Sequence, residues 1–166
     1  MLRRTWIIAV ISLLACSVYA SVDVDEALKL EPNLDQRYAS SIATRYLTNY
    51  HYKRTRLDDD LSSQIYDAYL DLLDPNRIYF LQSDIDSFER HRHLMDDSLR
   101  HSDLMAAYDI FNVYTDRVLD RVEYSRARAK QPFDFTIDED YQYNREDESW
   151  AKDAAELDEL WRLRVK

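Results

Sequence analysis

The chain has 166 residues, a net charge of −10, and no glycine. Without glycine it cannot build a phosphate-cradling loop, a dinucleotide fingerprint, an EF-hand calcium loop or a G-x-S-x-G nucleophile elbow, because each needs a backbone position that only glycine takes without strain. The acidity speaks against nucleic acid as a partner, since polyanions are held by neutralising phosphates with Lys and Arg.

The amino terminus predicts export. Arg3 and Arg4 form a positive head, Trp6 to Ala15 a short apolar stretch, and Val18-Tyr19-Ala20 a cleavage site before Ser21, so residues 1–20 read as a signal peptide that takes the chain out of the cytoplasm. Polar Ser21 and Asp23 arrive too soon for a membrane span of about 20 apolar residues. The only cysteine, Cys16, follows Leu13-Leu14-Ala15 in a pattern like a lipobox. Lipidation at Cys16 is therefore the alternative to a cut after Ala20, and the membrane a partner only by that route. A chain starting at Ser21 has no cysteine and no disulfide.

Residues 21–34 read as an extended segment, and residues 35–166 as an all-α domain of about four to five irregular helices with extended connectors. Asp35 is expected to cap the first helix, in which Tyr38, Ile42, Tyr46 and Tyr50 recur at i+4. Asp58 to Asp60 open a second, carrying Leu61, Ile65, Tyr69 and Leu72 until Asp74-Pro75-Asn76 stops it. Residues 78–81 read as a buried connector. Ser83 is expected to cap a third helix, with Ile85, Phe88, Met95 and Leu99 inward, and Ser102 a long fourth that runs to about Ala129. Residues 132–137 alternate like a strand but have no partner, and so read as an extended strap. Trp150, Ala154, Leu157, Trp161 and Val165 then form a last apolar stripe. It ends at Lys166 without Gly, Asn or Pro beyond it, which predicts that the polypeptide continues and that Trp150, Leu157, Trp161 and Val165 form an interface. In this chain alone, residues after about Trp150 are expected to fray or self-associate.

Chemistry is sparse. His91 and His93 diverge by about 200° on a helix and lack further ligands, so they read as surface residues. The runs Asp58–Asp60 and Asp138-Glu139-Asp140 read as helix capping and solvation. Nothing orders Ser62, Ser63 or Ser98 against Lys53 or Lys130, and no oxyanion turn is evident. No catalytic residue, metal or cofactor is expected. Thirteen tyrosines lie mostly on apolar faces and read chiefly as core, with an interaction surface as the second use.

Several stretches in order carry a resemblance: Tyr46-Leu-Thr-Asn-Tyr-His-Tyr52, Tyr69-Leu-Asp-Leu-Leu-Asp74, Leu81-Gln-Ser-Asp84, Tyr108-Asp-Ile-Phe-Asn112, Pro132-Phe-Asp-Phe135, and Trp150-Ala-Lys152 through Glu156-Leu157, Leu160-Trp161 and Val165-Lys166. Together they resemble the amino-terminal helical domain of bacterial tail-specific, or carboxy-terminal processing, proteases. The resemblance implies a periplasmic serine endopeptidase with a Ser/Lys dyad and a PDZ module, neither of which falls on these residues. It implies a scaffold role, with the protease and PDZ regions of the same parent protein as partners and a periplasmic adaptor or substrate as a further one. The alternative is a free-standing exported helical binding protein or lipoprotein that uses an aromatic face.

Overall fold

The computed structural model describes residues 29–53 and 56–166. The signal segment 1–20, Cys16 and the Ala20 cleavage site lie outside the described residues, as does residues 21–28 of the extended segment.

Six α-helices make up the fold among the described residues: α1 (Leu34–Asn49), α2 (Asp59–Leu73), α3 (Gln82–Phe88), α4 (Met95–His101), α5 (Met105–Arg128) and α6 (Ala154–Val165), with a 3₁₀ turn at Glu89–His91 between α3 and α4. The fold is all-α. Its only β feature among the described residues is one parallel bridge, Leu81 to Ala151.

The caps explain where the expected boundaries move. α1 starts two residues earlier than expected: Asn33, not Asp35, is the cap, and it exchanges hydrogen bonds with Gln36 in a reciprocal capping box. Asp58 caps α2 as expected, accepting from Leu61 N at 3.1 Å. Ser83 is not the cap of α3. Asp84 instead reaches back to accept from Leu81 N at 2.9 Å.

The expected third helix breaks in two because α2 interrupts it. The buried Ser62 hydroxyl donates to Arg92 O at 2.8 Å and accepts from Met95 N at 2.8 Å, so it satisfies the backbone groups that a continuous helix would have paired internally. Ser102 ends α4 in the left-handed region at φ 54°. It does not cap α5, whose first turn is held by Asp103 accepting from Met105 N at 3.0 Å.

Two apolar clusters result. The larger packs Tyr66 and Leu70 of α2 with Phe80, Ile85, Phe88, Met95, Ala106 and Ile110, and Trp150 lies half-buried against it. The smaller joins Ile78 and Ala151 to Leu157 and Trp161 of α6. Each large side chain buried in this way contributes roughly 1.5–3 kcal/mol. An ion pair ties α3 to α5 across the larger cluster, where Arg117 grips the nearly buried Asp84 through two bonds of 2.8 and 2.9 Å. That pairing holds the Arg117 guanidinium above its ordinary pKa.

Candidate interaction surface

The side chains that could carry chemistry are committed to the fold. Ser62 is fully buried with its proton given to a carbonyl. Ser63 Oγ accepts from the Arg92 guanidinium at 2.9 Å, and Ser98 lines a small apolar hollow with Ile65, Tyr69 and Leu99. A serine nucleophile needs a base within hydrogen-bond reach. Among the described residues neither Lys53 nor Lys130 hydrogen-bonds to any of these hydroxyls.

His91 accepts from Arg90 at 3.1 Å and lies 3.9 Å from Asp109. Burial, then the Arg90 charge, pushes its pKa down against the pull of Asp109. His93 is exposed. No cluster of three or more His, Cys, Asp or Glu side chains suited to a metal is present among the described residues.

The carboxy-terminal corner is built on a residue that sequence reasoning used only as a helix stop. Asp74 is fully buried. Its Oδ1 accepts from Ile78 N at 2.8 Å, and its Oδ2 from Tyr79 N and Phe80 N at 3.1 Å and from Trp150 Nε1 at 3.2 Å. One carboxylate thus closes the Asp74–Phe80 turn, in which Arg77 takes a positive φ of 52°, and pins the Trp150 loop to it. The Arg77 guanidinium covers the Trp150 ring at 4.6 Å.

Against the other side of this connector lies α6. Trp161 Nε1 donates to Ile78 O at 2.6 Å, and its ring packs on Tyr79 at 5.6 Å. The four residues expected to form an interface therefore part company. Trp150 lies outside α6, whose cap is Asp153, and packs on the larger cluster. Leu157 and Trp161 are 1% and 8% exposed, with Val165 half-buried beside them. Their apolar surface is covered by the domain itself, because Ile78, Tyr79 and Ala151 come back beneath α6. That covering replaces the frayed end expected from the sequence with a packed helix.

The strap after α5 contains no strand, and it is not extended throughout: residues 135–137 turn, because the Asp134 carboxylate accepts from Thr136 N at 2.9 Å and from Thr136 Oγ1 at 2.6 Å. It is fastened to α6 by Glu139, which accepts from Arg162 and from Lys166 at 2.6 Å. Both contacts, Arg162 first, hold the Glu139 carboxyl below its ordinary value, and Arg162 does the same to Glu159. A carboxylate whose pKa is depressed by folding stabilises the attached form above its unfolded pKa and loses that contribution as pH falls through the folded one. The Glu139 carboxyl resonance is accordingly expected to titrate below the 4.5 of an unperturbed glutamate. A midpoint at or above that value in an NMR titration would show that the fastening is not formed in solution.

The open surface lies at the other end. α1 contains no buried residue. Leu34 is 83% exposed, Tyr38 70%, Tyr46 57% and Tyr50 74%, with Leu47 and Tyr52 also exposed. This is the face expected to be core. What α1 turns toward α4 is polar: Ser41, Thr44, Arg45 and Thr48 look across an open cleft of about 720 Å³ at Arg56, Leu57, Leu99 and Arg100.

Residues 43–166 match the family described as "Tail specific protease N-terminal domain". The chain belongs to this family. It is also 35% identical, over 133 residues, to the tail-specific protease of Haemophilus influenzae (strain ATCC 51907 / DSM 11121 / KW20 / Rd), an alignment that covers 80% of this chain and 19% of that protein. The chain thus spans about a fifth of the length of this curated relative. Its residues correspond to the amino-terminal domain of a tail-specific protease, and the catalytic domain of this serine-type family is not among them. In tail-specific protease terms the tyrosines divide by place, with Tyr66 in the core of the domain and those of α1 on its surface.

Proposed function

We propose that this chain is the non-catalytic scaffold of a periplasmic serine endopeptidase of the tail-specific class, exported by residues 1–20, cut after Ala20, and packed against a PDZ module and a Ser/Lys catalytic region. The observation that carries this reading is the family match over residues 43–166 beside coverage of only 19% of the Haemophilus protein. The hydroxyls of Ser62 and Ser63, held by backbone and guanidinium groups, agree with it. The purified chain is expected to leave peptides with apolar C-termini intact under conditions in which the intact Haemophilus protein cleaves them. Cleavage that persists after removal of contaminating proteases, and disappears on Ser63→Ala, would sink this reading.

One observation favours a second reading. α6 covers its own stripe with Ile78 and Ala151, as a self-sufficient module does, which suits a free-standing exported binding protein or a lipoprotein anchored at Cys16. Mass spectrometry tests the lipoprotein form of this reading: an acylated Cys16 fits the lipoprotein, and a mature terminus at Ser21 fits the scaffold and an unlipidated exported protein alike.

A further inference from the structure

We propose that α1 is the docking element of this domain: its Leu34, Tyr38, Tyr46 and Tyr50 face seats in an apolar groove rimmed by carboxylates, on the part of a tail-specific protease polypeptide that lies beyond this domain. The proposal rests on the scaffold reading above and names the surface and the partner chemistry through which the scaffold acts.

The polarity of α1 is inverted relative to its own domain. A helix that belongs to a core turns its apolar stripe inward. α1 borders the cleft toward α4 with exposed Ser41 and half-buried Thr44 and Thr48, and leaves its aromatic stripe in solvent. Scattered exposed apolar residues need no explanation, but here five large residues of one 16-residue helix, Leu34, Tyr38, Tyr46, Leu47 and the adjoining Tyr50, are exposed together, Ile42 among them is only half-buried, and none is buried. A helix of this length is marginal without tertiary burial, so its apolar face is matched to something outside the described domain.

Charge selects what that is. Residues 34–56 hold one acid, Asp35, against Arg37, Arg45, Lys53, Arg54 and Arg56, in a chain whose net charge is −10. Among the described residues Arg37, Arg45, Lys53 and Arg56 make no ion pair, whereas Arg92, Arg117 and Arg162 each hold carboxylates. A basic, aromatic helix laid in a groove is read by its anchors at i, i+4 spacing and steered by carboxylates at the rim. A second copy meeting α1 with its own α1 would bring like charges together, and an anionic membrane would repel the acidic body. The chain spans 19% of the Haemophilus protein, so most of such a protein's length is available to supply the groove.

The test is a hybrid in which the Haemophilus tail-specific protease carries this chain in place of its own matching region. Amide hydrogen exchange is read over residues 34–50 in the isolated chain and in the hybrid. We expect exchange there to be at least about tenfold slower in the hybrid. Tyr38→Ser, Tyr46→Ser and Tyr50→Ser together should restore the isolated-chain rate. The same triple variant should leave the melting curve of the isolated chain unchanged, because none of the three is buried. Equal exchange in a hybrid that still cleaves peptide overturns the docking proposal and leaves the scaffold reading standing. Slowed exchange in a hybrid that does not cleave supports docking and counts against the scaffold reading, and equal exchange without cleavage removes both. Slowing in the isolated chain that rises with its concentration, or that needs phosphatidylglycerol vesicles, overturns the proposal in favour of a second copy or a membrane.

Discussion

Asp74→Ala is expected to cost about 3–5 kcal/mol, because several hydrogen bonds to one charged acceptor, each contributing about 1.5–3 kcal/mol, are lost together and water takes up part of the loss. The alanine leaves the N–H groups of Ile78, Tyr79 and Phe80 and the Trp150 indole without an acceptor. Each buried donor left unpaired costs about 1–3 kcal/mol, less whatever water can reach it. Against a typical total stability of about 5–15 kcal/mol, such a loss brings the domain close to unfolding. Asp74→Asn keeps the shape but meets one of the converging donors with its own NH₂, so it should fall between alanine and the native residue. Urea denaturation measures both, and an alanine variant within about 1 kcal/mol of the native chain would show that the turn is held by other contacts.

Trp161→Ala is expected to cost about 3–5 kcal/mol as well, through the cavity it leaves, but with a different spatial signature. Trp161 belongs to the smaller cluster, where it packs with Ile78, Ala151 and Leu157 and donates to Ile78 O. Its loss should release α6 and the strap fastened to it through Glu139. α2 and the first half of α5, packed in the larger cluster, should keep their slow exchange. Trp161→Phe retains most of the ring and loses only the indole donor, for about 1–2 kcal/mol. Uniform acceleration across all six helices in the alanine variant would mean that the two clusters unfold as one unit. Unchanged exchange in α6 would mean that Trp161 does not hold it.

The connector 78–80 links these two predictions. It was legible in the sequence as a short apolar run after a helix stop, because burial of Ile78 and Phe80 follows from hydrophobicity. Its fastening was not legible. Whether Asp74 merely ends α2 or also accepts four hydrogen bonds depends on where Trp150 arrives, 76 residues later. The trace that could have been read is an aspartate directly before Pro-Asn and a run of apolar residues, whose buried N–H groups must find an acceptor somewhere. The split of the expected third helix was hidden for a similar reason, since Ser62 acts on it from another helix.

α1 has the predicted periodicity, but Tyr38, Tyr46 and Tyr50 face solvent and not the core. The i+4 recurrence of Tyr38, Ile42, Tyr46 and Tyr50 predicts one face, but a pattern of this kind does not say whose core the face belongs to. The basic residues around it were the unused signal: local positive charge on an aromatic helix in an acidic chain marks a surface rather than a core. At the other end, the stripe of Leu157, Trp161 and Val165 has little chain after it, and from the sequence alone that predicts a partner-facing surface. The structure covers it with residues 78–81 and Ala151, which precede it in sequence.

Peptidase activity of the hybrid, compared with that of the Haemophilus protein from which the matching region has been deleted, tests the scaffold assignment most directly. The domain placed in this position is expected to restore cleavage of a peptide with an apolar C-terminus to within about tenfold of the intact relative, a loss of about 1.4 kcal/mol or less in transition-state stabilisation, whereas the deletion stays inactive. A hybrid that folds cooperatively yet is as inactive as the deletion would contradict the assignment.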